Sequence, residues 1–121
     1  MVKINDPSAN PDTFKYGPPK IVTINWTGRI KQGDNKVDIY FSIEDNENCP
    51  VYFVDESGNF KKKVFIDTYD FKVVDETYYG AAYLVVTEPR PVETSAIITV
   101  TAIDKNGNGQ TDSDVCTIMY K

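Results

Sequence analysis

The chain has 121 residues, 40% of them apolar, and a formal net charge of −5. That length is one domain, and it buries roughly two-thirds of its unfolded surface, enough for a core without staples. The acidic balance argues against a nucleic-acid partner, which needs clustered Lys and Arg. The lack of histidine removes the Ser/His and Cys/His nucleophile systems and the common zinc sets, and no apolar run is long enough for a membrane span.

Residues 1–19 carry Pro7, Pro11, Pro18 and Pro19 among Asn, Asp, Ser and Lys. Four prolines oppose a helix and the centre of a sheet. The segment reads as an extended N-terminal arm: either a disordered leader, or an arm that lies on a partner with Phe14 and Tyr16 as its anchoring side chains. It has no apolar core of a signal peptide. The expectation is a protein made and used without Sec export, or a module cut from a longer chain.

From residue 20 the pattern changes to period two, and the domain 20–121 begins. Residues 20–26 form the first strand, with Val22, Ile24 and Trp26 on one face. Gly28 and residues 32–35 make a turn. In residues 36–43, Val37, Ile39, Phe41 and Ile43 point one way and Lys36, Asp38, Tyr40 and Ser42 the other, as in a sheet with one wet face. A polar loop, 44–48, leads to a strand over 50–54. Residues 55–59 carry a hairpin turn, and strands over 60–67 and 69–74 follow. The run Lys61, Lys62, Lys63 reads as a charged strand edge that discourages edge pairing, with nucleic-acid contact as the alternative.

A turn over 75–80 precedes a strand over 81–87. Pro89 and Pro91 stop it and make 88–94 a connection between sheets. The last two strands are 95–103, with Ile98, Val100 and Ala102 toward the core, and 113–120, with Cys116, Ile118 and Tyr120 inward. Short strands with turns every 8–12 residues or so and no helix predict an all-β, two-sheet antiparallel sandwich of seven to eight strands. A closed barrel is the structural runner-up. Cys49 and Cys116 are not placed for the antibody-type bridge and read as free thiols.

Residues 96–109, Ala-Ile-Ile-Thr-Val-Thr-Ala-Ile-Asp-Lys-Asn-Gly-Asn-Gly, with the closing strand after them, resemble the end of bacterial and phage immunoglobulin-like domains. Residues 21–24 and 37–45 resemble the first two strands of the same family. The resemblance covers residues 20–121 apart from 55–88, and it implies an immunoglobulin-like β-sandwich.

The loop between the last two strands raises a separate question. Asp104, Asn106, Asn108, Gly109 and Asp112 stand at the first, third, fifth, sixth and ninth places of an EF-hand loop. The twelfth is Val115 where a Glu is required, and the flanks alternate as strands, so an EF-hand is rejected. A looser calcium site remains, in which Glu44, Asp45 and Glu47 lie near Asp104, Asp112 and Asp114. The competing reading is a solvated acidic tip with Asn-Gly supplying the turn. No other cofactor is expected. The tyrosines 78, 79 and 83 make a dense aromatic set, readable as a glycan-stacking surface or as ordinary strand tyrosines with a wet tip.

The functional expectation is a non-enzymatic structural or interaction protein: a phage virion component, such as a capsid decoration (auxiliary head) protein or a head or tail appendage. It would be made in the host cytoplasm and bound through its arm to the major capsid protein or another virion protein. The alternative is an immunoglobulin-like module from a bacterial surface adhesin or glycan-active enzyme, binding protein or carbohydrate at the cell surface. Homo-oligomerisation is open in both.

Overall fold

The structure is a computed structural model and describes residues 2–15, 17–30, 35–44, 51–72, 77–87, 94–105 and 110–120, with the backbone alone at 17, 35, 77–84, 86, 87, 94 and 120. The described residues contain strands and no helix. One five-stranded sheet has the order β1 (Val2–Asn10), β3 (Gly17–Ile30), β8 (Thr77–Thr87), β5 (Val51–Val54), β6 (Phe60–Lys61). The other has the order β2 (Thr13–Phe14), β10 (Thr111–Tyr120), β9 (Thr94–Asp104), β4 (Asn35–Ile43), β7 (Lys63–Phe71). All pairings are antiparallel except the short parallel contact of β2 with β10.

Period-two alternation builds the interior. Val22, Ile24 and Trp26 of β3, Val37, Ile39, Phe41 and Ile43 of β4, and Ile98, Val100 and Ala102 of β9 are all buried. With Val51 and Phe53 of β5, they form one hydrophobic cluster shared by both sheets. Burying each large side chain is worth about 1.5–3 kcal/mol, so the shared cluster is what holds one sheet against the other. In β10 Ile118 is buried, and Cys116 packs against the core while partly exposed.

Residues 2–15 and 17–19 are not a separate arm. β1 pairs along β3 and buries Val2 and Ile4, while Phe14 on β2 is 3% exposed within the core cluster. The prolines fit because each sits where the ladder is already interrupted. Pro7 lies in the irregularity between Asn5 and Ser8, beside Asp6 at φ 49. Pro11, after a cis peptide bond, lies between β1 and β2. Pro18 and Pro19 fall in the register shift between Gly17 and Lys20. Proline forbids a regular central strand, but it leaves an edge strand with breaks available.

β1 ends in one sheet and β2 begins in the other, so the chain changes sheets at Pro11. The opposite edge does the same at Lys62, between β6 and β7. There the Ile43 N–H donates to the Lys62 carbonyl at 2.7 Å, which carries the β4–β7 ladder one residue past Lys63. The expected strands over 60–67 and 69–74 are thus divided differently, with the break at Lys62 and a single β7 after it whose register against β4 shifts between Phe65 and Asp67. The hairpin turn lies where predicted: Asp55 Oδ1 accepts the N–H groups of Ser57 (2.9 Å) and Asn59 (2.8 Å), and Gly58 takes φ 81.

Gly28 marks a close approach of the two sheets. A Cβ there would run into Cε1 of the buried Phe71 ring and lie 2.8 Å from its Cζ. Phe71 is itself held by Trp26, with ring centroids 6.2 Å apart. Relief from glycine's strand entropy is worth roughly 0.5–1 kcal/mol and loses to an overpacking cost of about 1–3 kcal/mol. Gly28→Ala is therefore expected to lower the urea midpoint. In a Phe71→Ala background the same substitution becomes neutral or stabilising, a coupling that a double-mutant cycle reads directly. An unchanged midpoint in the otherwise native chain rejects the packing argument.

Candidate interaction surface

The carboxylates of β10 close the first edge. Asp112 Oδ2 accepts the Ile4 N–H at 2.7 Å, and Asp114 Oδ2 accepts the Asp6 N–H at 3.2 Å. Ile4 and Asp6 lie on β1, the edge strand of the other sheet, and each N–H directed away from a ladder needs an acceptor. The two aspartates stand two apart and so share one face of β10. Hydrogen bonds to charged acceptors are worth about 1.5–3 kcal/mol, and here they join strand to strand across the gap between sheets.

That use bears on the calcium set. Asp112 spends one carboxylate oxygen on β1. Asp104, at the end of β9, is buried, and its N–H donates to the Gln110 carbonyl at 2.9 Å. Asn106 and Asn108 lie outside the described residues, as do Asp45 and Glu47, while Glu44 is exposed. Among the described residues no group of three or more Asp, Glu or Cys side chains is placed to hold a metal ion.

The two proposed binding sets fare differently. Phe14 is buried and cannot be presented to a partner, because its ring fills the core beneath β2. Tyr16 lies outside the described residues. Tyr78, Tyr79 and Tyr83 fall on β8, opposite Trp26, Asn25 and Val22 of β3, and their side chains lie outside what is described. Cys49 lies outside as well. Cys116 is a free thiol, pushed up to about 11 by burial and then by the neighbouring Asp114 carboxylate.

What the structure does bring together is an aromatic and basic surface at the second edge. On the outer side of one sheet, Tyr52 and Phe60 stack with centroids 5.7 Å apart, planes 27° from parallel. Lys62 Nζ lies 3.9 Å from the Tyr52 ring centre and donates to the Val51 carbonyl at 2.7 Å. On the outer side of the other sheet, Tyr40 and Phe65 meet edge to face at 5.4 Å, and Lys63 Nζ lies 4.7 Å from the Tyr40 ring. Each half is a half-buried tyrosine, an exposed phenylalanine and a lysine over the tyrosine face. Such ring pairs and cation–π contacts are each worth about 0.5–1.5 kcal/mol, so they stiffen the edge. They do not bury the phenylalanines: Phe60 is 58% and Phe65 48% exposed.

Sequence reasoning missed Phe60 and Phe65 because they differ in parity. On one unbroken strand period-two alternation would turn one of them inward. The sheet change at Lys62 resets the phase, and both rings face solvent. The available signal was the lysine run itself: a strand cannot bury an inward lysine at its centre, so a phase break belongs there.

No protein-family model and no curated protein matches the chain. Among solved structures the fold is similar to Pseudomonas fluorescens alkylpurine DNA glycosylase AlkC bound to DNA containing an abasic site analog, with TM-score 0.60 and 11% identity over 99% of this chain and 30% of that one. It is also similar to Spo0M, a sporulation control protein from Bacillus subtilis, with TM-score 0.50 and 14% identity over 99% of this chain and 49% of that one. The chain thus spans less than half the length of each, and the likeness is one of fold.

Two outcomes are expected at this level. Asp112→Ala leaves the Ile4 N–H without its acceptor, costs about 1–3 kcal/mol, and speeds amide exchange at Ile4 ahead of the core strands; Asp112→Asn, which keeps an oxygen there, costs less. Native amide exchange at Ile4 in Asp112→Ala would refute the latch. For Cys116 the folded value near 11 stands above the usual 9.0, so the native state holds its proton more tightly. Its contribution to stability is complete below pH 9 and fades as pH rises toward 11. Iodoacetamide should label Cys116 far more slowly at pH 8 in the folded chain than in urea, and equal rates would contradict this.

Proposed function

We propose that the protein is a non-enzymatic interaction module, an immunoglobulin-like β-sandwich whose working part is the aromatic and basic edge formed by β5, β6 and the start of β7. The strand orders support the immunoglobulin-like reading. β1, β3, β8 and β5 take the places of strands A, B, E and D, and β4, β9 and β10 those of C, F and G. β2, β6 and β7 are additions at the edges. The occurrence of a similar fold as part of two longer chains favours a module carried by, or docking on, something larger. The chemistry of those two proteins is not transferred.

The observation that carries the proposal is the pair of phenylalanines left open to water while Phe14, Trp26, Phe41, Phe53 and Phe71 are buried. Isolated exposed apolar residues are ordinary; here an exposed ring braced by a tyrosine stands on the outer side of each sheet, on either side of the lysine run, which favours this edge as a contact surface. The virion role, with capsid decoration as its clearest form, is a narrower version of this proposal. One of its motives, a free arm, is lost with residues 2–14 built into both sheets. The adhesin or glycan-binding module is the alternative, and the side chains of Tyr78, Tyr79 and Tyr83 that motivate its glycan form lie outside the described residues.

The test is retention on an immobilised panel of glycans, peptides and nucleic acids. Phe60→Ser with Phe65→Ser should keep the fold, with a stability loss of about 1–2 kcal/mol from the two ring pairs, and lose whatever the native chain retains. Retention that survives the double variant moves the working surface elsewhere. Saturable turnover of any substrate, abolished by Asp104→Asn, defeats the non-enzymatic reading.

A further inference from the structure

We infer that two copies of this chain associate face to face through the outer surface of β9 and β10, with β4 lying between that surface and the edge strand β7. The charges of these two strands are sorted by side. Asp104, Asp112 and Asp114 occupy even positions, as the buried Ile98, Val100 and Ile118 do, and two of them accept amides of β1. The odd positions, 95–103 on β9 and 111–119 on β10, are Ser, Thr, Ile, Val or Met, and none is charged. Among them Ile97, Val115 and Met119 are 37%, 52% and 44% exposed. The register makes these three neighbours on one face. Ile97 stands opposite Thr117, so Val115 and Met119, on either side of Thr117, are its diagonal neighbours at about 7–8 Å. Thr99 and Ser95 pair with Val115 and Met119 and complete the patch.

The occupant follows from charge. Other outward strand positions do carry it: Lys36 and Asp38 on β4, and Arg29 of β3 opposite Lys3 of β1. Depletion of charge at the centre of a patch is what distinguishes a protein interface from the rest of a surface. Each copy carries −5, so two copies repel unless they meet where neither has a charge. A two-fold axis sets the same patch against itself, and an uncharged patch needs no opposite charge on its partner. A basic partner, which the net charge attracts, would find no carboxylate at the outward positions of these strands. Area sets the strength. Positions 95–103 extend about 27 Å, and β10, β9 and β4 together are about 14 Å wide. The footprint is then about 400 Å² per copy, about half that of a standard interface. The contact is therefore weak, forms at high concentration, and closes at two copies.

Sedimentation velocity of the full chain, from about 10 μM to about 1 mM and at low and high salt, tests this. Expected is a monomer–dimer equilibrium with Kd on the order of 100 μM. It should tighten as salt rises, because salt screens the repulsion between two acidic bodies and leaves an uncharged contact untouched. Val115→Lys, and separately Thr117→Lys, should weaken it about ten-fold or more by setting like charges against each other. Ile21→Lys adds the same charge at a more open position, 64% exposed on the outer side of the other sheet, and should not weaken it. Circular dichroism checks that each variant is folded, and either of the two patch variants suffices if the other is not. A chain that stays monomeric to about 1 mM, a dimer that weakens as salt rises, or a dimer that survives both patch variants overturns the inference. A monomeric chain that retains a foreign protein, and loses it in Val115→Lys, overturns it too and gives the face to that partner.

Discussion

The constraint on which the structure turns is that a two-sheet body has open edges, and every unpaired backbone donor there must find an acceptor or water. This chain meets it by letting strands change sheets. At one edge β1 passes to β2 through Pro11; at the other β6 passes to β7 through Lys62. Side chains then cross the remaining gap. Asp112 and Asp114 reach from β10 to the amides of β1, and Lys62 reaches from the β7 side to the Val51 carbonyl of β5. The two edges are closed by opposite charges, carboxylates accepting from N–H and an ammonium donating to C=O.

The core depends on this closure as much as the closure depends on the core. Phe14 is buried only because β2 lies beside β10, and Val2 and Ile4 only because β1 lies beside β3. At the far end of β3, Gly28 lets the Phe71 ring of edge strand β7 come in over the opposite sheet, where Trp26 and Tyr69 meet edge to face at 5.4 Å. A side chain at position 28 would push β7 outward and open the second edge. Backbone freedom is not the reason for glycine there; space for a neighbouring ring is.

The central strands were legible in the sequence because both physical signals agreed. In β4 the apolar positions 37, 39, 41 and 43 alternate with polar ones, and all four are buried. In β9, positions 98, 100 and 102 do the same. The Asp55–Asn59 turn was legible from Ser-Gly-Asn, since Gly58 supplies the positive φ. β1 was hidden because two signals disagreed: Val2 and Ile4 alternate, while Pro7 and Pro11 argue for irregular chain. The prolines turned out to mark breaks in an edge strand. The interaction surface was hidden for a different reason. Phe60 and Phe65 acquire their exposure from a phase reset in three dimensions, and a one-dimensional period carries no record of which sheet a residue has moved to.

This difference between the edges is also what supports the proposed working surface. At the first edge the charges are consumed: the Asp112 and Asp114 carboxylates face β1 and bind its amides, leaving little for a ligand. At the second edge one lysine, Lys62, suffices to join the sheets. Lys61, Lys63, Phe60 and Phe65 are then not needed for closure, although Lys63 lies over the Tyr40 ring; exposed apolar side chains also occur on the outer faces of β9 and β10, at Ile97, Val115 and Met119. Two open phenylalanines beside two open lysines expose apolar area and concentrate like charge, both unfavourable for an isolated soluble domain. Their presence at the one edge already sealed by other means is the physical ground for assigning that edge to a partner.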